Sequence, residues 1–175
     1  MKRVVLFFAL VALTVCAGCA TRAVLKNQFD VQEAQAALRP GNNCIKGSAV
    51  ILKMNGQAVT CAGRQVWLVP VTRYSTEVMQ GMYGNTQRGY MPANAFDQRN
   101  VSFSNLHPQF NTLGLRTVLG NTQGFFVFDR VKDGDYFVVT KITWFVPGHY
   151  SPEGGHLMQR VAVLGGETVE IVLAP

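Results

Sequence analysis

Alternation of apolar and polar positions dominates the chain beyond residue 44. Ile45, Gly47, Ala49 and Ile51 fall on one face of an extended segment, with Lys46, Ser48, Val50 and Leu52 on the other. Asn55-Gly56 follows, a pair that tolerates positive φ and predicts a hairpin turn returning through residues 58–61. Ala62-Gly63 turns again, and residues 66–71 form an apolar strand whose Trp67 is read as core. The same rhythm returns late in the chain. Residues 125–128 form a short strand, Lys132-Asp133-Gly134-Asp135 a turn, and 136–146 a long strand. A loop at 147–155 leads to a strand at 157–164, a Gly165-Gly166 turn, and a closing strand at 168–173. Short strands separated by Gly-rich turns predict an all-β sandwich or barrel.

Two stretches depart from this period. Asp30 and Glu33 form a D-x-x-E capping signal ahead of the good helix formers 32–38, and Arg39-Pro40-Gly41 stops the helix. Residues 19–43 are therefore expected to be a tether carrying one short helix. Between about 72 and 120 the alternation lapses. Ser75 or Thr76 is placed to cap a short helix containing Met79 and Met82. A connection longer than about 12–15 residues usually carries function or disorder.

The first residues follow a third pattern. Met1-Lys2-Arg3 is basic, residues 4–15 are apolar except Thr14, and Cys16-Ala17-Gly18-Cys19 follows. The apolar run is well short of the roughly 20 residues that span a bilayer, and the order of basic head, apolar middle and small residues is that of a signal peptide. The segment resembles the bacterial lipobox, with Cys16 where Leu is usual. The resemblance implies a leader of residues 1–18 and a mature chain beginning at a lipidated Cys19. The alternatives are cleavage before Cys16, where Val15 is bulky beside the cut, or an ordinary secretory signal. Ala20, where Asp would favour retention in the inner membrane, implies a lipid-anchored, periplasm-facing position at the outer membrane. Acyl chains such as palmitate would hold it there, each buried CH₂ contributing about 0.8 kcal/mol.

Composition supports a folded domain and narrows its chemistry. Of 175 residues 48% are hydrophobic and 15% charged, a globular balance. The formal charge of +6 drops to about +4 once Lys2 and Arg3 are removed. Arg73, Arg88, Arg99, Arg116, Arg130 and Arg160 are scattered rather than clustered, which argues against a nucleic-acid partner. An oxidising periplasm and the intervening NG turn favour a disulfide between Cys44 and Cys61, the alternative being two separate buried thiols.

Gly47-Ser48-Ala49-Val50, Asn55-Gly56 and Ala62-Gly63 before Val66-Trp67-Leu68 resemble the opening of carboxypeptidase-regulatory-like domains. Their second half resembles Asn121-Thr122-Gln123-Gly124-Phe125-Phe126-Val127-Phe128 with Gly134-Asp135-Tyr136, and their ending Leu164-Gly165-Gly166-Glu167-Thr168-Val169. The resemblance covers roughly residues 44–71 and 121–173. It implies a transthyretin-like Greek-key β-sandwich over 44–175, interrupted by an insertion at about 72–120, that acts as a rigid adaptor or binding module.

Candidate chemistry is sparse. The insertion carries Tyr74, Met79, Met82, Tyr83, Tyr90 and Phe96, side chains suited to a partner surface or to tucking the insertion onto the sandwich. His149, Glu153 and His156 share a loop, but their spacing matches no zinc arrangement, so exposed loop histidines are expected. Asp129, Asp133 and Asp135 read as turn residues. There is no G-x-S-x-G, H-E-x-x-H or P-loop, so neither enzymatic activity nor a cofactor is expected. The expected function is that of a non-enzymatic outer-membrane lipoprotein whose sandwich is an interaction or structural module with an envelope protein partner. Two alternatives stay open: a carrier of carbohydrate or peptide using a pocket beneath the insertion, and a component of a secretion apparatus.

Overall fold

The computed structural model describes residues 24–93, 106–148 and 150–175. The leader, Cys19, Phe96 and His149 lie outside the described residues. The elements run α1 (Val31–Ala37), β1 (Asn43–Leu52), β2 (Ala58–Thr60), β3 (Gln65–Pro70), α2 (Arg73–Tyr83), β4 (Arg88–Pro92), α3 (Phe110–Leu113), β5 (Arg116–Leu119), β6 (Phe125–Val131), β7 (Gly134–Trp144), β8 (Glu153–Val163) and β9 (Thr168–Leu173).

The strands build two sheets, so the chain is an all-β sandwich with short helices added. In the four-stranded sheet β1 pairs antiparallel with β2 and β6 and parallel with β9. The five-stranded sheet is antiparallel in the order β4-β8-β7-β3-β5. The alternation expected for β1 holds: Ile45, Ala49 and Ile51 point inward and are buried. They meet Phe126 and Phe128 of β6, Val66 and Leu68 of β3, Tyr136, Val138 and Ile142 of β7, and Leu157 and Val161 of β8. Each Val, Leu, Ile or Phe among them contributes about 1.5–3 kcal/mol on burial. Position 47 falls on the same face by alternation and is glycine because a Cβ there would run into the Ile171 carbonyl of β9 and the Phe126 ring.

One end of this core is tied by a single amide. Asn43 is 1% exposed. Its Nδ2 donates to the Val131 carbonyl at 3.0 Å and to Asp133 Oδ1 at 2.8 Å. Its Oδ1 accepts from the N–H groups of Gly166 and Glu167 at 2.7 and 3.0 Å. Asp133 also accepts from the Gly165 N–H at 3.0 Å. The β6–β7 turn, the β8–β9 turn and the start of β1 thus share one saturated network. The Asn43 amide and the Gly165 N–H hold the Asp133 carboxyl below its ordinary range. Because the folded state favours the ionised form, this contribution is present above the ordinary aspartate range and is lost as pH falls through the lowered value.

The segment expected as a tether is integrated with the domain from Leu25 onward. Asp30 caps α1 as the D-x-x-E signal implies, accepting from the N–H groups of Gln32 and Glu33. Leu25 and Ala34 are buried, and Lys132 Nζ donates to the Ala36 carbonyl. The insertion is equally integrated. It supplies β4 and β5, which form the two edges of the five-stranded sheet. Its helix α2 begins earlier than expected, with Thr72 rather than Ser75 or Thr76 at the N-cap. Ser75 completes a capping box, its Oγ accepting from the Thr72 N–H at 2.8 Å, and it also donates from Oγ to the Pro70 carbonyl at 2.6 Å.

The expected disulfide is not formed: Cys44 and Cys61 are free thiols. The register explains why. Cys61 continues β2 opposite Ala49, whereas Cys44 lies five residues back along β1, about 16 Å away. It also sits on the opposite face, beside Lys46 and Ser48. A disulfide needs Cα atoms within about 7 Å. Cys61 instead donates its thiol hydrogen to the Gly124 carbonyl at 3.1 Å, and burial pushes its pKa up.

Two outcomes follow. Asn43→Ala should lower unfolding free energy by about 2–4 kcal/mol, because it strands the buried Val131 carbonyl, removes a partner of Asp133 and leaves two part-buried N–H donors without their acceptor; urea denaturation measures this. Reductant should leave the melting temperature unchanged, and thiol titration should find Cys61 unreactive until the chain unfolds.

Candidate binding groove

The outer face of the five-stranded sheet is apolar, which no solvated sheet face would be. Val69, Phe137, Val139 and Met158 are all buried there. They are covered by α2, α3 and residues 24–29. α2 presents Tyr74, Val78, Met79 and Tyr83 to the sheet. Gly89 of β4 has no side chain because the Tyr83 ring lies against it. Phe29, Tyr74 and Phe110 form an aromatic cluster with ring centroids 5.2–5.5 Å apart. Tyr74 Oη accepts from the His107 N–H at 2.7 Å, fixing the chain that leads into α3.

This arrangement sorts the residues expected to meet a partner. Tyr74 and Tyr83 are buried and hold the insertion down, so they present no surface. The Tyr83 hydroxyl has no hydrogen-bond partner among the described residues, and burial drives its pKa upward. Met79 is also buried, but it and the half-buried Met82 line a groove of about 380 Å³ between α2, α3 and the sheet. Trp67, Val69 and Val139 line it from the sheet, Phe110 and Leu115 from around α3, and Gln65, Asn111 and His156 supply its polar atoms. Trp67, expected as sandwich core, in fact faces the groove. β3 turns Val66 and Leu68 inward and Trp67 outward. Tyr90 lies elsewhere: it points to the other face of β4, where its hydroxyl donates to the Gly154 carbonyl at 3.0 Å. There it borders a wide, open cleft with Tyr150, Ser151 and Glu153.

His156 and Glu153 do not converge. On β8 they alternate to opposite sides, Glu153 opposite Trp144 and His156 opposite Lys141. Burial, reinforced by Lys141, pushes the His156 pKa down to about 4. The groove therefore carries a neutral imidazole at neutral pH, and its chemistry is aromatic, thioether, aliphatic and amide. It can hold an apolar group and satisfy one or two polar atoms beside it. Among the described residues no group of His, Cys, Asp or Glu is placed to hold a metal, and no helix is long and apolar enough to cross a membrane.

No family model matches the chain, and no curated protein matches it. Among solved structures, that of a Pseudomonas aeruginosa protein described as a proposed carbohydrate binding protein aligns with a TM-score of 0.68 at 24% identity, over 85% of this chain and 99% of that one. The likeness is one of fold.

The buried imidazole gives a pH signature. Between its ordinary value of 6.5 and the folded value of about 4, the unfolded chain binds a proton that the folded chain does not. Stability should therefore fall as pH drops through that window. Thermal denaturation should show a shallower acid slope in His156→Gln, and proton NMR should show the imidazole staying neutral at pH 5.

Proposed function

We propose that the protein is a non-enzymatic, lipid-anchored envelope protein, acylated at Cys19, whose sandwich binds an apolar segment of a partner in the groove beneath its insertion. The observation that carries this reading is the groove itself. It is a preformed concavity on a rigid sheet, lined by Trp67, Met79, Met82, Phe110 and Leu115. Such a lining suits binding by shape and apolar contact, and thioethers adapt to varied side chains.

The sandwich is read as a transthyretin-like Greek key of the carboxypeptidase-regulatory-like type. Its motif residues support that reading by what they do. Asn55-Gly56 turns β1 into β2, with the Asn55 side chain accepting from the Gln57 N–H. The Tyr136 hydroxyl of Gly134-Asp135-Tyr136 lies 2.9 Å from the Lys132 and Ala37 carbonyls, locking the β6–β7 turn and α1. These are scaffold tasks, as an adaptor needs. The lipobox residues and Ala20 support anchoring at the periplasmic side of the outer membrane.

A second reading, a carrier of carbohydrate, draws on the description of the Pseudomonas aeruginosa neighbour. In the groove it is favoured by the combination of the Trp67 ring with Gln65, Asn111 and His156, an aromatic face beside neutral hydrogen-bonding groups.

Met82 separates binding from folding, because it is half-buried and lines the groove from α2. Met82→Trp should fill the groove and reduce recovery of the natural partner at least roughly tenfold, the size of one buried anchor, while moving the melting temperature by only a few degrees. Quantitative mass spectrometry of native pull-downs reads the outcome. Unchanged recovery with a folded variant would reject the groove as the binding site. Trp67 fluorescence titrated with oligosaccharides and with apolar peptides tells the two ligand classes apart.

A further inference from the structure

The two ends of the sandwich differ. At the end holding Asn43 the turns are polar and tied together. At the other end the β1–β2 hairpin and the loop after β7 present apolar side chains to solvent: Leu52 is 66% exposed, Met54 and Tyr150 fully, and Phe145 76%. The two tips are neighbours, since Lys53 Nζ lies 5.5 Å from the centre of the Trp144 ring. The charge there is one-sided. Lys53 sits at the hairpin tip, Arg64 donates to the Thr143 carbonyl at 3.1 Å, and Lys141 lies three residues below Trp144. Among the described residues of these loops the one carboxylate is Glu153, which accepts from Trp144 Nε1 at 3.1 Å.

From this geometry we infer that the two tips are a membrane-contact site: Met54, Leu52 and Phe145 dip into the interface of a phospholipid bilayer while Lys53, Arg64 and Lys141 face anionic headgroups. The shape favours lipid over protein. A stable protein interface needs a continuous patch of about 800 Å² on each side, and two turn tips present separate side chains. A fluid bilayer accepts each separately, and Trp, Tyr and Lys are the side chains that settle at its interface.

The inference rests on the lipid-anchor reading, and chain length connects the two. Glu77 of α2 clamps the N-terminal segment, accepting from the N–H groups of Lys26 and Asn27 at 2.7 and 2.9 Å. From Cys19 to the clamped Asn27 there are eight Cα–Cα steps, a reach of about 27 Å at full extension. Asn27 and Glu77 lie beside Arg160, which is opposite Phe137 of β7, and Trp144 lies seven residues beyond Phe137, a rise of about 23 Å. An acylated Cys19 can therefore lie in the plane of the tips, and a leash this short leaves the domain little room to stand away from the bilayer.

The test uses the full lipid-bearing protein in vesicles of phosphatidylethanolamine and phosphatidylglycerol, with bromines on the upper acyl chain as quenchers. Trp144 emission is obtained by difference from Trp144→Phe. Side chains seated about 5–10 Å into the interface should lose roughly half of that emission. The double variant Met54→Asp, Phe145→Asp should lose the quenching while still sedimenting with the vesicles. Sedimentation without quenching would overturn the tip site and leave the anchor standing. Quenching retained in the double variant would overturn it too, since the leash alone would then explain proximity. Failure to sediment would remove both anchor and tips.

Discussion

The four-stranded sheet exists through β1. Among the described residues β2, β6 and β9 each pair with β1 and with no other strand of that sheet. The strand must therefore be accurately placed at both ends. At its start Asn43 fills all its hydrogen-bonding capacity with four partners on two separate turns. A buried amide saturated in this way specifies one arrangement, because any shift in register strands several buried polar groups at once. The apolar core then follows from register: a slip of one residue would turn Ile45, Ala49 and Ile51 outward and put Lys46 into the core.

The five-stranded sheet poses a different physical problem. β3 and β7 are apolar on both faces, Val66 and Leu68 inward with Val69 outward, Val138 inward with Phe137 and Val139 outward. A sheet of this composition cannot leave either face in water. The insertion is the cover the second face requires, and cutting it away would expose Phe137, Val139 and Met158 rather than simply remove a surface. The cover is not continuous. Where α2 and α3 diverge, Trp67, Met82 and Leu115 stay half-buried around an opening. The groove is thus a consequence of covering a flat sheet with two short helices.

How much of this the sequence disclosed depends on what each residue needed. The strands of the sandwich proper were legible because alternation and turn chemistry agree: Asn55-Gly56, Gly134 and Gly165-Gly166 stand where strands must reverse. Asp30 was legible as a cap because capping is local. β4 and β5 were not. Arg88-Gly89-Tyr90-Met91-Pro92 contains Gly and Pro, residues that argue against a strand unless it lies at an edge, and β5 has four residues. Gly89 is explained only by the Tyr83 ring above it, a contact no local pattern encodes. Trp67 was misplaced for a related reason. In a strand apolar on both faces, alternation cannot say which face is the sandwich interior. The Cys44–Cys61 expectation failed on register: a hairpin brings its own flanks together, but Cys44 lies too far along β1 from the turn to meet Cys61. The proposed lipidation of Cys19 rests on the lipobox-like residues alone, which lie outside the described residues.

The placement of these features gives the molecule a direction. α1 and the Asn43 network close one end, and the groove opens on the helical face nearer the other. The segment leading from the proposed lipid joins the domain on that same helical face, through Leu25 and the Glu77 clamp. With the proposed anchor, pull on the leash would act first on α2, the helix that forms one wall of the groove. A short attachment to a groove-forming helix couples anchoring to binding geometry in a way that a long flexible stalk cannot. With the proposed acylation it would confine the groove to a layer within a few tens of ångströms of the bilayer, which would raise its effective concentration toward partners held in the same layer. Modest affinity in a groove of about 380 Å³ would then be sufficient for the proposed binding, because confinement would supply what a small contact area does not.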